Sequence, residues 1–294
     1  MALFRYPGGK TRYTDFILPT LYRCSGFSVY VEPFVGGGSV ALAMAERYPN
    51  IKLILNDLDE GISAFWDLVA NAPNSEFQEL ANRILHTKPT LEMFYAMLAS
   101  KPTDRPGQAF RTFFLNRASH MGMGLRPLGG KDQTSEGKID SRWGKPATKL
   151  LELNEARRLL GGRTKVLKED FATVIPLAAG ANTLMFLDPQ YYEAGNQLYQ
   201  FKWTDADHIR LHDALVGKCN WVMSYDDHPF IRNLYKVLAY MMSVQYSMGK
   251  DRKKMSELLL FPRLEFSTAF NPDVGVGGVG DTLRIWIKGF GPND

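Results

Sequence analysis

Three residues at the end of an apolar run have the types needed to act on an amine attached to an aromatic ring. Asp188, Pro189 and Tyr191 follow Thr183–Leu187 in the order Asp-Pro-Gln-Tyr-Tyr. The nitrogen of such an amine is a poor nucleophile because its lone pair is delocalised into the ring. A carboxylate and a backbone carbonyl that bind both amine hydrogens would favour a tetrahedral nitrogen, and a tyrosine offers a flat face for a nucleobase. The alternative is a proline turn whose tyrosines cap the core.

A glycine turn between an apolar run and an amphipathic segment forms a second candidate site. The stretch VEPFVGGGSVALAMAERY contains Gly36, Gly37 and Gly38, which permit positive φ angles and close approach of the backbone to a ligand. Ser39 can cap the helix that follows, and helix N-termini present amides to ligands. The turn lacks the spaced three-glycine fingerprint that binds a pyrophosphate. It therefore favours a nucleoside cofactor without phosphates, such as S-adenosyl-L-methionine, with a tight structural turn as the alternative.

Two acidic residues end further apolar runs. Asp57 ends KLILND, where it can accept hydrogen bonds from both ribose hydroxyls of a nucleoside. It can also cap the helix that NDLDEGISAFW begins. Asp170 ends VLKED and is a candidate for binding the adenine ring amine of the cofactor, or else a solvent-exposed turn acid.

The runs that carry these residues predict an α/β protein. Parallel strands joined by helices produce such an alternation, and the first three runs are VYVEPF, KLILNDLD and LMFLDPQYY. NWVMSYDD and TLRIWIKGF predict two further strands, and TKVLKEDF predicts one that returns to the main sheet. About a hundred residues separate the second and third runs, which predicts an insertion.

The inserted segment is the most basic part of the chain. Residues 62–100 have helical periodicity, whereas residues 101–146 lack it and are rich in Gly, Pro, Lys and Arg, as in a loop-rich surface module. Residues 101–149 contain ten basic and four acidic residues, a net charge of +6 against +4 for the whole chain. We expect an inserted recognition domain at 61–159, which binds a polyanion, within a catalytic domain formed by 1–60 and 160–294.

The overall composition excludes several protein classes. With 45% hydrophobic and 22% charged residues over 294 positions, disorder is not expected. Cys24 and Cys219 are the only cysteines, which argues against a disulfide framework or a zinc site and favours a reducing compartment. The sequence shows neither a secretory signal nor a membrane-length apolar run. We expect a cytoplasmic protein without a membrane association or an obligate protein partner.

Taken together, these stretches resemble the Dam-type DNA adenine-N6 methyltransferases over almost the whole chain. The motifs stand in the family's order: RYPGGK, VEPFVGGGSVAL, NDLDEGISAFW, FFLNR, LDPQYY and YSMGKDRKKMSELLLF. An insert between the cofactor and catalytic motifs is typical of the family's alpha group. The resemblance implies a Rossmann-like S-adenosylmethionine-dependent methyltransferase fold with an inserted, mostly helical and loop-rich DNA-recognition domain. It also implies methyl transfer to N6 of an adenine flipped out of double-stranded DNA.

The resemblance assigns roles to individual residues. Catalysis falls to Asp188, Pro189 and Tyr191. Cofactor binding falls to Tyr6, Lys10, Glu32, Pro33, Phe34, Gly36, Gly38, Asp57, Asp170 and Phe171. The basic insert would contact DNA, and its candidates are Arg117, Arg126, Arg142 and Trp143, for which solvated surface charge and a packed Trp are the alternatives. A further basic contact with DNA is expected from GKDRKK, although such a run is usually a solvated loop.

One residue departs from the family pattern, since Gln190 stands where a second proline is usual. Proline fixes φ and lacks an N–H group, so Gln190 loosens the loop and adds an amide beside the base pocket. One alternative is therefore a weakened or silent DNA-binding homologue. Another is an enzyme that methylates RNA adenine or protein glutamine, although the large basic insert argues against it.

Overall fold

The computed structural model describes residues 3–5, 9–10, 14, 17–18, 26–122, 136–178, 180, 182–193, 202–218, 220–236, 238–248 and 251–262. The chain divides into two compact units, Met1–Leu18 with Val35–Asp170 and Pro19–Phe34 with Phe171–Asp294. These units do not follow the predicted boundaries of the 61–159 insert, which remain a prediction. Within the described ranges, no helix is long and apolar enough to cross a membrane, and no three His, Cys, Asp or Glu side chains are grouped to hold a metal ion.

Strands and helices alternate at both ends of the chain, with a run of helices between them. The elements are β1 (Val29–Glu32), α1 (Ser39–Arg47), β2 (Lys52–Asn56), α2 (Glu60–Asn71), α3 (Asn74–His86), α4 (Leu91–Ala99), α5 (Arg105–Ala118), a 3₁₀ turn (His120–Gly122), α6 (Glu136–Trp143), α7 (Pro146–Leu160), β3 (Thr164–Leu167), α8 (Phe171–Leu177), β4 (Thr183–Leu187), α9 (Asp205–Leu215), β5 (Trp221–Asp226), α10 (Pro229–Tyr235), β6 (Leu238–Met248) and β7 (Asp251–Phe261). The α/β class predicted from the sequence is confirmed.

The second unit is built on strands that are parallel at one side and antiparallel at the other. β1 pairs with β4 and β4 pairs with β5, both in parallel. β5 then pairs with β7, and β7 with β6, both antiparallel. Every residue of β4 and β5 is buried, which explains why their sequences are nearly continuous apolar runs. The predicted strand TLRIWIKGF lies outside the described residues.

The first unit packs helices around one pair of parallel strands, β2 and β3. Its core is aromatic: Phe65 of α2 stacks on Phe113 of α5 at 5.8 Å between ring centroids, and Trp66 contacts Phe65 edge to face at 5.3 Å. The indole N–H of Trp66 donates to the carbonyl oxygen of Gly36 at 2.9 Å. The core of the unit therefore holds the glycine turn directly.

Helix α5 lies in a region for which the sequence predicted loops, and that prediction is wrong. Asp104 caps the helix by accepting a hydrogen bond from the N–H of Gly107 at 3.1 Å. Pro106 stands in the first turn, where its missing N–H group would have had no helical partner. The Pro and Gly of this first turn resemble a loop signal. The helix is nevertheless stable, because Phe110 and Phe113 are among its buried residues.

An antiparallel pair of strands near the C-terminal end was also missed. β6 and β7 pair along their whole length, from Leu238 opposite Phe261 to Met248 opposite Asp251. A basic contact with DNA was predicted for GKDRKK, with a solvated loop as the alternative, and the last four residues of the stretch begin β7. Its contact with DNA remains a prediction.

Candidate functional site

The glycine turn of the first unit is tied to the acid that follows β2. The N–H of Gly36 donates to Oδ2 of Asp57 at 2.9 Å, and the N–H of Asp59 donates to Oδ1 at 3.0 Å. Gly36 and Gly38 have φ angles of 43° and 64°, in the left-handed region that glycine tolerates. A Cβ on Gly38 would also lie 2.4 Å from the ring of Trp66. Position 38 therefore requires glycine on two grounds.

Asp57 does not cap the helix that follows it, which was one of its two predicted roles. Asp59 is the cap, because its Oδ1 accepts from the N–H groups of Gly61 and Ile62 at 2.8 and 3.0 Å. Burial raises the pKa of Asp57 to about 6, and its two N–H partners oppose that rise. The carboxylate is ionised at neutral pH, as an acceptor for ribose hydroxyls should be.

Asn56 connects the ends of the two parallel strands of the first unit. Its Nδ2 donates to the carbonyl of Glu169, and its Oδ1 accepts from the N–H of the same residue, both at 2.9 Å. The side chain is 1% exposed. This double hydrogen bond fixes the residue before Asp170, the predicted adenine acid, which ends the first unit. Sequence reasoning missed Asn56, although a polar residue at a strand end was the available signal.

The other predictions for the first unit have mixed outcomes. Lys10 is buried, with 3% of its surface exposed. Tyr6 lies outside the described residues. Ser39 was predicted to cap α1, but it is the first residue of that helix, and Gly38 occupies the cap position without a side-chain bond.

Three aromatic rings gather beyond the end of β1 in the second unit. The centroid of Phe34 lies 5.7 Å from that of Phe171 and 5.7 Å from that of Trp203, and Phe171 lies 5.4 Å from Trp203. Phe34 and Trp203 are only half-buried. These rings, the aromatic trio, offer a surface suited to a flat ligand such as an adenine ring. Trp203 was missed because it stands outside every recognised motif.

The end of β1 carries a buried carboxylate. Glu32 is 2% exposed and accepts a hydrogen bond from the hydroxyl of Tyr30 at 2.6 Å. Burial, followed by the neighbouring Glu32, raises the pKa of Tyr30 well above its usual value, so the phenol remains a donor. Pro33, also buried, follows directly and turns the chain towards the aromatic trio.

The Asp-Pro-Gln-Tyr stretch stands at the end of β4 and is held by β5. Oγ of Ser224 donates to Oδ1 of Asp188 at 2.6 Å. Pro189 is buried beside it. The ring of Tyr191 stacks on Tyr225, with 6.0 Å between centroids and 24° between planes. The structure thus brings together the three predicted catalytic residues at one strand end, with a carboxylate and a ring fixed against the neighbouring strand.

Asp226, the last residue of β5, fixes the chain just beyond that stretch. Its Oδ1 accepts from the N–H of Tyr192 at 2.9 Å, and its Oδ2 accepts from the N–H of Glu193 at 2.7 Å. The residue is 5% exposed. Sequence reasoning missed Asp226. Asp188 was selected because it stands at the end of an apolar run, and the same criterion applies to the acids of the SYDD stretch.

Gln190 has an unusual environment. Its side chain is half-buried, yet the amide nitrogen Nε2 is wholly inaccessible to water and has no hydrogen-bond partner among the described residues. A buried donor without a partner destabilises a protein by about 1–3 kcal/mol.

Two of the predicted DNA-binding residues lie together in the first unit. Nη2 of Arg117 donates to the carbonyl oxygen of Arg142 at 3.5 Å. Electrostatic coupling connects both to further cations near the N-terminus and on the neighbouring helices. The members of this cationic cluster are Arg5, Arg117, Arg142 and Lys149, and His120, whose pKa is lowered first by burial and then by Arg142 and Arg5, lies beside them.

Burial and the charges of neighbouring members both act on the arginines of this cluster. Burial, followed by the charge of Arg5, lowers the pKa of Arg117 to about 10. Glu152 lies 3.6 Å from Nζ of Lys149. Nη1 of Arg5 and Nε of Arg117 are buried and have no hydrogen-bond partner in the described part of the chain. Arginine and lysine side chains are the groups that bind a phosphate backbone.

Trp143 belongs to the core rather than to the surface. It is 2% exposed, and its ring lies 5.7 Å from that of Phe113 and 5.4 Å from that of Phe114. This burial favours a packed Trp, the alternative to its predicted contact with DNA. Arg126 lies outside the described residues.

Comparison with known families agrees with the strand-end chemistry. The sequence model of the D12 class of N6 adenine-specific DNA methyltransferases matches residues 6–249. The match includes both the glycine turn and the Asp-Pro-Gln-Tyr stretch. It covers well over half of the chain.

Individual relatives are distant in sequence. The Type II methyltransferase M.CviBI of Paramecium bursaria Chlorella virus NC1A is 24% identical over 79% of this chain and 85% of its own. The Type II methyltransferase M.MjaIII of Methanocaldococcus jannaschii is 23% identical over 70% and 76%. The DNA N-6-adenine-methyltransferase of Escherichia phage P1 is 29% identical over 80% of this chain but only 31% of its own length. An rRNA methyltransferase, aviRa from Streptomyces viridochromogenes, aligns with a TM-score of 0.36 at 14% identity, over 87% of this chain and 86% of its own, a likeness too weak to support an argument.

Proposed function

We propose, for a chain that belongs to the D12 class of N6 adenine-specific DNA methyltransferases, that S-adenosylmethionine is the methyl donor and an adenine flipped out of duplex DNA is the acceptor. Methylation of adenine at N6 in DNA is the activity of that class. The donor, the duplex substrate, the flipping of the base and the role of each residue are the proposal. The cytoplasmic location inferred from the cysteine content also remains a prediction.

One observation carries the assignment: the carboxylate of Asp188 is fixed by Ser224 at the end of β4, beside Pro189 and Tyr191. Asp188 and the carbonyl oxygen of Pro189 would accept the two hydrogens of the N6 amine. The lone pair of a nitrogen held in that way is released from the ring and can attack a methyl carbon. Tyr191 would stack on the extruded base and keep its amine in place.

The residues present fit the proposed cofactor. When bound, S-adenosylmethionine would supply an electrophilic methyl group. In the first unit the ionised carboxylate of Asp57 is suited to ribose hydroxyls. In the second unit, taken by itself, the aromatic trio is suited to a flat ring such as adenine. Buried Lys10 and Glu32 are candidates for the charged amino-acid part of the cofactor.

Duplex DNA fits the charge of the first unit. The cationic cluster provides arginine donors for phosphate oxygens, and such contacts supply affinity without reading sequence. Extrusion of the target base is required because the N6 amine is paired and stacked in duplex DNA. Arg117 and Arg142 are therefore proposed as backbone contacts.

The test is transfer of labelled methyl from S-adenosylmethionine to unmethylated genomic DNA, with the product nucleosides identified by mass spectrometry. We expect N6-methyladenine from the native enzyme. Asp188→Ala should lower turnover on the order of 100- to 1,000-fold, because it removes an acceptor needed in the transition state. Its affinity for the cofactor should not change. Asp213→Ala is the matched control, since Asp213 is an exposed acid on α9 of the same unit.

Each alternative has its own outcome. Binding of duplex DNA without any transfer would identify a silent homologue. Transfer to structured RNA but not to DNA would favour the RNA enzyme. Native turnover by Asp188→Ala would refute the catalytic role of this residue.

A further inference from the structure

Two buried polar side chains behind the Asp-Pro-Gln-Tyr stretch have no part in the proposed chemistry. Ser224 on β5 is fully buried, and Glu257 on β7 is 1% exposed. A buried hydroxyl, and still more a buried carboxylate, destabilises a fold unless hydrogen bonds compensate for its lost hydration. The surroundings of these two side chains therefore indicate what each one does.

Ser224 holds the carboxylate of Asp188. Its hydroxyl donates to Oδ1 at 2.6 Å and lies 3.5 Å from the carbonyl oxygen of Leu187. An O–H···O⁻ contact of 2.6 Å is in the range of charge-assisted hydrogen bonds, which are about twice as strong as neutral ones. β4 and β5 are parallel neighbours, with Leu187 opposite Met223. The residues that follow this pair, Asp188 and Ser224, therefore lie side by side. The bond fixes the rotation of the Asp188 carboxylate on a buried strand.

The charge of Glu257 acts on the phenol of Tyr191. The carboxylate of Glu257 lies close enough to the phenol of Tyr191 to act on its titration, because burial, followed by the charge of Glu257, raises the pKa of Tyr191 well above its usual value. The phenol therefore remains protonated and can donate. The ring of Tyr191 also stacks on Tyr225. The stack on Tyr225 of β5 therefore sets the plane of the ring, and Glu257 of β7 keeps its hydroxyl protonated.

We propose that Ser224 and Glu257 are positioning residues for methyl transfer, with Ser224 orienting the Asp188 acceptor and Glu257 orienting the stacking ring of Tyr191. This proposal rests on the proposed roles of Asp188 and Tyr191. The antiparallel register places Glu257 opposite Asp226, and Ser224 stands two residues before Asp226 on the same face of β5. Ser224, Asp226 and Glu257 thus share one face of the β5–β7 pair, whereas Tyr225, on which the ring of Tyr191 stacks, belongs to the other face.

The test is single-turnover methyl transfer to unmethylated genomic DNA by Ser224→Ala and Glu257→Gln. Tyr235→Phe is the control, because it removes another buried hydroxyl of the same unit, one without a hydrogen-bond partner among the described residues. We expect the rate at saturating cofactor and DNA to fall about 10- to 100-fold in each variant, since small displacements of reacting groups have effects of that size. The dissociation constants for S-adenosylmethionine and duplex DNA, and the melting temperature, should not change. The control should retain the native rate.

A double-mutant cycle separates positioning from a general structural role. Tyr191→Phe removes the phenol but keeps the stacking ring. If Glu257 acts through that phenol, Glu257→Gln should have little further effect in the Tyr191→Phe background. Additive losses, native rates in both single variants, or losses that follow a lowered melting temperature would overturn the proposal.

The same series distinguishes this proposal from the function on which it rests. Should Asp188→Ala retain turnover, the proposed function itself fails. Should Asp188→Ala be inactive while Ser224→Ala and Glu257→Gln are native, the function stands and only the positioning roles are refuted.

Discussion

With the proposed contact between Asp57 and the ribose, the affinity for S-adenosylmethionine should fall as the pH drops below 6, because the Asp57 carboxylate then loses its charge. Burial raises the pKa of this carboxyl to about 6. About 90% of it is then ionised at pH 7 and about 9% at pH 5, so the apparent dissociation constant should rise about tenfold between those values. The cofactor binds the ionised form of Asp57. Near pH 5, where Asp57 is mostly protonated in the free protein, formation of the complex should therefore release a proton.

Isothermal titration calorimetry measures both quantities. Titrations from pH 5 to 7.5, in buffers with different ionisation enthalpies, give the dissociation constant and the number of protons released. Asp57→Asn is the matched variant, since it keeps the size of the side chain but has no charge to lose. It should bind more weakly at pH 7 and show no dependence on pH between 5 and 7.

A loss of affinity at low pH cannot be attributed to unfolding caused by protonation of Asp57. The pKa of Asp57 is higher in the folded protein, about 6, than the value of 3.8 for a free side chain. Protonation therefore favours the folded state, and the contribution of Asp57 to stability improves as the pH falls from above 6 towards 3.8. A dissociation constant that is flat from pH 5 to 7, or an unchanged slope in Asp57→Asn, would refute the placement of the ribose at this acid.

Three further variants test the packing around the site. Gly38→Ala should lower the free energy of unfolding by about 1–3 kcal/mol, because the new Cβ meets the Trp66 ring at 2.4 Å and φ is 64°; urea denaturation with native-like stability would contradict the fit. Gln190→Leu should raise the free energy of unfolding by about 1–3 kcal/mol, since it removes a buried donor without a partner in the described structure. A lower stability in urea would show that the amide has a role in the free protein. Trp143→Ala should lower the free energy of unfolding by about 3–5 kcal/mol through loss of core packing, while the folded variant keeps the native affinity for duplex DNA; a weaker affinity of the folded variant would restore the role of Trp143 as a DNA contact.

The sequence predicted the parts of the fold whose signals are local. β2, β4 and β5 are apolar runs that end in acidic or polar residues, and a fully buried parallel strand needs no more than that. Helix α5 was missed because Pro106 and Gly107, which begin it, are also the usual marks of a loop. Strands β6 and β7 were missed because polar and charged residues interrupt the apolar residues of each strand. Neither sequence therefore forms a continuous apolar run.

The candidate site divides in the same way. The strand-end rule located Asp57 and Asp188, since each follows its own strand directly in the sequence. It did not locate Ser224 or Glu257, because their partners lie on other strands. Those contacts depend on which residues face each other across the sheet, and a register of that kind is not visible in any single segment.

The contacts around Gln190 explain how the stretch keeps its geometry without a second proline. A proline reduces the conformational entropy of the unfolded chain, and this stabilises the folded protein by about 0.4–1 kcal/mol where the native backbone suits proline. Here Asp226 accepts from two backbone N–H groups directly beyond the stretch, at 2.9 and 2.7 Å, and hydrogen bonds to a charged group contribute about 1.5–3 kcal/mol each. Asp188 is held in addition by Ser224, and Tyr191 by its stack on Tyr225. The rigidity lost at position 190 is therefore smaller than the rigidity supplied by β5, which favours an active enzyme over a silent homologue.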